Sequence, residues 1–223
     1  MHPSGKRCAL ITFLAAALML VASTAGFTQD SAPKARFYMA VFAQDTNPRA
    51  AQTAHTFATF VKTDGEKFEA HTISWLPRGD NVKLLKRPEP GVNLDLKASL
   101  DRAAGMKAQV FEWGPFEIKP ALYDLALKHI ALLNSGKVLY KAVDLVPERG
   151  GEIISNCIHA VTDIDMENGR TKLGPQFGVD ASEAVVEHLS RWIIDPKTVH
   201  PEINEKLGLG KRVKMQNPPS RAP

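Results

Sequence analysis

The sequence predicts a mixed α+β domain, and three observations carry that prediction. Strand-like runs joined by a turn signal come first, long amphipathic helical runs follow, and the two kinds of element do not alternate regularly. A doubly wound parallel sheet would need regular alternation, so a small antiparallel sheet packed against helices is expected instead.

The elements follow in order. Phe37 to Phe42 is rich in aromatic and branched residues and reads as a strand. The run His55 to Val61 alternates as a second strand, Thr63-Asp64-Gly65-Glu66 is a turn signal, and Phe68 to Trp75 is the third strand, so 55–75 reads as a hairpin. Pro77, Gly79, Pro88, Pro90 and Gly91 interrupt regular structure, which makes 76–93 a surface excursion bordering a cleft. Leu94 to Ala104 has helical spacing with Asp95 early and Gly105 just beyond. A short strand is expected at Val110 to Trp113, ended by Gly114-Pro115. Lys119 to Leu133 is a helix carrying Leu122, Leu125, Ala126, Ile130 and Leu133 on one face, stopped by Gly136. Val138 to Val146 reads as a strand, and Ala181 to Ile194 as a last amphipathic helix ended by Asp195-Pro196.

The first residues have the layout of an export signal: Lys6 and Arg7, an apolar stretch from Ala9 to Ala22, then small residues at Ser23 and Ala25. That stretch is short for a membrane span, which needs roughly 20 apolar residues. The expected division is a signal peptide over 1–25, a leader over 26–35, one domain over 36–208, and a basic, Pro-rich flexible tail over 209–223. Cleavage after Ala25 leaves 28 − 2 = 26 basic against 24 acidic side chains, a net +2. So small an excess argues against a nucleic-acid partner, and no later stretch is suited to a membrane span. The expected location is therefore exported, periplasmic or secreted.

Of the two cysteines, Cys8 lies in the export signal, leaving Cys157 as a solitary thiol that cannot form an internal disulfide. Ser155 and Asn156 are good helix caps, and Ile158, Ala160, Val161 and Ile164 recur at helical spacing. Cys157 would then open a helix, whose positive end favours thiolate over thiol. A thiolate needs a base, and an imidazole base needs a third group to orient it. His55 and His71 lie on successive strands of the predicted hairpin. A turn near Gly65 pairs positions summing to 128–130, which sets His71 near Phe57 or Thr59 and both histidines on one face. The Cys157 helix is expected against that face.

The ordered pieces His55-Thr56-Phe57, Ala70-His71 and Asn156-Cys157-Ile158-His159 resemble the circularly permuted papain-like cysteine hydrolases of the NlpC type, which include the lecithin retinol acyltransferase-like proteins. The resemblance covers about a fifth of the mature chain. It implies a permuted papain-like fold, with Cys157 forming an acyl-enzyme, His55 as general base and His71 orienting it. Asn156 and Ser74 are alternative orienting groups. The backbone N–H of Cys157 would serve as one oxyanion donor, with Tyr38 and Tyr140 as candidates for a second. The implied activity is a cysteine hydrolase or acyltransferase acting on an amide or ester, with cell-wall peptides ahead of acyl esters as substrate. The long segment after Trp75 and the closing helix depart from the minimal family pattern.

Two further readings remain. One is a non-catalytic binding module of the same fold. The other is a metal site drawing on Cys157, His55, His71 and His159, although no closely spaced ligand pair supports it, and neither metal nor cofactor is expected. His159, two positions beyond Cys157, points to another side of its helix and is read as structural.

Overall fold

A computed structural model describes residues 34–79, 81–144, 148–168 and 178–219, and the expected signal peptide lies outside them. The architecture grows from strand β1, Arg36–Asp45. Its successive side chains alternate between two buried faces, which suits the centre of a sheet covered on both sides. Strand β2, His55–Thr63, pairs antiparallel with β1 along its whole length, from Arg36↔Thr63 to Gln44↔His55. The turn then runs over Asp64 to Lys67, where Lys67 N–H donates to Asp64 Oδ1 at 2.9 Å and Gly65 takes φ +98°. Strand β3, Phe68–Ile73, returns along β2.

The chain leaves this sheet at Ser74. Asn93 holds the bend, donating to Thr72 O at 2.8 Å and accepting from Ser74 N–H at 2.7 Å. The expected third strand therefore breaks, and β4, Trp75–Pro77, joins a second sheet. Within 76–93, expected as an excursion, Glu89–Asn93 forms β5 and pairs with β4. Gly91 is required there, because a Cβ would lie 2.0 Å from the Trp75 ring.

Helix α1, Leu96–Gly105, is capped by the Asp95 carboxylate, which accepts from Ala98 N–H at 2.7 Å. Strand β6, Gln109–Glu117, runs through Gly114-Pro115 instead of ending there. A register shift of β6 against β1 between Met39 and Val41 absorbs the pair. Helix α2 is Pro120–Asn134, close to expectation. The strand expected over 138–146 is only β7, Val138–Tyr140, and its last residues lie outside the described segments.

Two strands that the sequence reading missed, β8 (Glu148–Arg149) and β9 (Glu152–Ser155), precede helix α3, Cys157–Thr162. A 3-10 turn at Asp163–Asn168 follows, then α4 at Gly178–Leu189, α5 at Pro201–Leu207 and β10 at Lys214–Met215. The sheet orders are β10-β6-β1-β2-β3 and β4-β5-β7-β9-β8. Residues 209–219 differ from the expected loose tail, because β10 pairs in parallel with β6 and Leu209 is buried.

One face of the first sheet, with Met39, Val41, Ala58, Phe60 and Trp113, packs on α2, α3, α4 and the second sheet in a continuous apolar cluster. The other face, with Ala40, Phe42 and Phe57, is covered by Leu100 and Ala103 of α1 and by Leu209. Among the described residues no helix is long and apolar enough to cross a membrane.

Candidate active site

Where β3 leaves the sheet it opens a notch beside β2. The β2–β3 ladder reaches only Ala58↔Ile73, so the first residues of β2 have no β3 partner. His55 lies at this end, 2% exposed, with its ring stacked on Phe57 at 5.5 Å between centroids. Its Nε2 is 2.8 Å from Ser74 Oγ, and Ser99 Oγ of α1 stands 2.8 Å from the same hydroxyl. Ser99 also donates to Asp95 O at 2.7 Å. In its bond to Ser74 the Ser99 hydroxyl is the donor, and Ser74 Oγ meets His55 Nε2 as donor or acceptor according to the ring tautomer. Nδ1 is buried without a hydrogen-bond partner. Burial, with a smaller contribution from the Arg102 charge, lowers the His55 pKa to about 3, so the ring is neutral at pH 7.

Cys157 opens α3, which packs on the Met39 and Phe60 face of the sheet, so the expectation that this helix lies against the face bearing both histidines is corrected: the His55 ring, stacked on Phe57, is on the other face. Asn156 caps the helix, its Oδ1 accepting from Ile158 N–H at 2.9 Å and His159 N–H at 2.8 Å. Asp144 braces the cap: it accepts from Asn156 N–H at 2.9 Å, from the Asn156 side-chain amide, and from His159 Nδ1 at 2.9 Å. This carboxylate, twelve residues upstream on an irregular segment, gave no sequence signal, yet it fixes the start of α3. The His159 ring is committed to it.

The Cys157 sulfur lies against the backbone N–H groups of Thr56, the chain neighbour of His55, and of Cys157 itself. No hydrogen bond joins the sulfur to His55 Nδ1. The residue keeps some exposure, but burial of its thiol dominates and pushes the pKa up to about 11, against the pull of both N–H groups and Arg102. The expectation of a thiolate stabilised by the helix start is therefore corrected: the resting group is a thiol. Desolvation outweighs what a short helix and two N–H groups supply.

His71 does not join the site. It pairs with Phe60, so positions sum to 131 instead of 128–130, which turns His71 to the face opposite His55. There its ring meets Tyr123 of α2 edge-on at 6.1 Å. The orienting group on His55 is Ser74. The four-residue metal constellation fails for the same reason, since His55 and His71 lie on opposite faces, and no group of three metal-ligating side chains occurs among the described residues.

The two tyrosine candidates also separate. Tyr38 belongs to the far end of β1, opposite Val61 and edge-on to His200 at 5.0 Å. Tyr140 ends β7 and is buried; burial first, then the neighbouring Cys157 and Asp144, raise its pKa, so it remains a protonated donor. Comparison with family models, with curated proteins and with solved structures finds no match.

Proposed function

We propose that this chain is a thiol hydrolase or acyltransferase in which Cys157 attacks an amide or ester carbonyl and His55 acts as the base. The observation that supports the reading is the end of β2, where Thr56 sets its backbone N–H against the Cys157 sulfur and its chain neighbour, the buried His55, is held by Ser74 with Nδ1 unpartnered. On substrate entry the Sγ proton passes to Nδ1 as the C–S bond forms. The oxyanion is met by the Cys157 N–H, with Tyr140 as the second donor. Collapse breaks the C–N or C–O bond, and the imidazolium returns its proton to the leaving amine or alcohol. Water or an acceptor alcohol then cleaves the thioester, with Nδ1 again taking the proton. A neutral thiol–imidazole pair at rest suits this sequence, because charge separation is deferred until substrate has displaced water.

The proposed setting is an exported protein of permuted papain-like type acting on peptide amides, with cell-wall peptides as first candidates. A second reading has specific support: the raised thiol and depressed imidazole both oppose proton transfer, which suits a non-catalytic binding pocket. Reaction with p-nitrophenyl acetate separates them. An acetyl adduct on Cys157 by mass spectrometry, absent in a folded His55→Gln variant, supports the enzyme. No adduct, or one indifferent to His55, favours the binding module.

A further inference from the structure

The connection from β4 to β5 carries an aliphatic side chain into water. Leu85 is 96% exposed, whereas Ile194, the next most exposed large apolar side chain among the described residues, is 57% exposed. The connection is built to hold Leu85 there. At its base Arg78 N–H donates to Pro90 O at 2.9 Å, and the β4–β5 ladder closes behind it from Pro77↔Gly91 onward. Val82 is buried in the main apolar cluster and pins the outgoing limb. At the tip Lys86 N–H donates to Lys83 O at 3.4 Å, a turn with Leu84 and Leu85 at its two central positions. Such positions ordinarily take Gly, Pro, Asn, Asp or Ser, so turn chemistry does not account for two leucines.

Basic residues bracket this tip. Lys83 and Lys86 stand at the two ends of the turn, Arg87 follows, and all three are exposed. Lys86 pairs with Glu89 at 2.6 Å, but among the described residues no hydrogen bond or ion pair engages the side chains of Lys83 or Arg87. The basic residues near the C-terminus differ, with Arg212 bonded to Asp101 at 2.6 Å and Lys214 to Gln109 at 2.8 Å. Over 78–89, Arg78, Lys83, Lys86 and Arg87 stand against Asp80 and Glu89, 4 − 2 = +2. A partner for this tip must be anionic and must also take in one aliphatic side chain from a convex surface. Nucleic acid satisfies the charges but rewards aromatic stacking, and 76–93 contains no aromatic residue. A folded acidic protein needs roughly 800 Å² of contact per partner, more than so small a tip presents. An anionic bilayer meets both demands: phosphate headgroups take the cations, whose stems lie along the interface, and acyl chains take the leucine. We infer that the turn Lys83-Leu84-Leu85-Lys86-Arg87 docks the protein on an anionic lipid surface, with Leu85 inserted below the headgroups. Docking of this kind requires nothing of Cys157.

The test sediments the full chain with sucrose-loaded vesicles of phosphatidylcholine, alone or with about 30 mol% phosphatidylglycerol. Wild-type protein is expected to partition roughly 50-fold more strongly onto the anionic vesicles at low salt, and to lose that preference as salt rises. The double variant Lys83→Gln, Arg87→Gln should lower anionic partitioning roughly 20-fold, and Leu85→Ser roughly 10-fold. The expected export signal is common to every variant, so the differences read the turn alone. Leu85→Trp supplies a local measurement: its emission should shift to the blue on anionic vesicles and be quenched by brominated acyl chains, above the wild-type background of Trp75, Trp113 and Trp192. Equal partitioning of wild type and Leu85→Ser, with Leu85→Trp unquenched, would overturn the inference. So would equal partitioning of wild type and the double variant. Binding to a DNA duplex or to polyglutamate as strong as to the vesicles, and indifferent to Leu85→Ser, would overturn it in favour of another partner.

Discussion

His55 and Glu112 are two buried ionisable groups on one face of the same sheet, separated by the Phe57 and Phe42 rings, which stack at 4.8 Å. Each has one orphaned polar atom, Nδ1 of the histidine and Oε1 of the glutamate. Burial makes both neutral near pH 7, by opposite routes: it lowers the imidazole pKa to about 3 and raises the carboxyl to about 8. Their neighbours differ. Glu112 is sealed beneath α5 and β10, with Asn204 Nδ2 on its Oε2 at 3.0 Å and Gln216 N–H on its carbonyl at 2.7 Å. His55 is buried at the end of β2, and its chain neighbour Thr56 sets a backbone N–H against the Cys157 thiol. An orphaned atom is therefore not by itself a sign of chemistry; the groups placed near it decide.

The widest separation should appear in acylation. His55→Gln is expected to slow acetyl transfer to Cys157 by roughly 10²- to 10⁴-fold, whereas Glu112→Gln should leave it unchanged, as read by p-nitrophenolate release. A loss of similar size in both variants would dissolve the contrast. Asp144 is the carboxylate that, unlike Glu112, has several donors around it. Asp144→Ala should cost about 2–4 kcal/mol in urea unfolding by stranding the Asn156 and His159 donors, and a change below about 1 kcal/mol would remove its bracing role.

The pH dependence of stability sharpens the comparison further. A carboxyl raised in the folded state stabilises at low pH, and that contribution is lost as pH rises from its ordinary 4.5 through about 8. A histidine lowered in the folded state contributes above its ordinary 6.5, and the contribution is lost as pH falls toward 3. Between 4.5 and 6.5 the two slopes oppose each other, so these groups predict a plateau flanked by an alkaline and an acid limb. Each limb has a slope of at most about 1.4 kcal/mol per pH unit. Glu112→Gln should flatten the alkaline limb and His55→Gln the acid one, in unfolding midpoints measured from pH 3 to 9. The smallest effect belongs to Ser74→Ala, expected to slow acylation roughly 10-fold with little change in fold, since it frees the ring without removing it. No slowing would mean that Phe57 stacking alone orients His55.

Local chemistry determined much of this protein in advance. Strands β1 and β2 follow from their branched and aromatic content, α1 from the Asp95 cap, α2 from its apolar stripe, and the start of α3 from Asn156, because each signal acts within a few residues of the bond it makes. What tertiary structure alone decided is non-local. The strands β5, β8, β9 and β10 are too short to show a period and exist through their partners. A one-residue difference in hairpin register sent His71 to the opposite face, because side chains alternate with period two. Ser74 becomes the partner of His55, and Ser99 the partner of Ser74, only because Asn93 bends the chain and α1 packs over this end of the sheet. Sequence thus supplied Cys157 and His55 as chemical types in a plausible order. Burial, which depends on everything packed around them, decided that both rest uncharged.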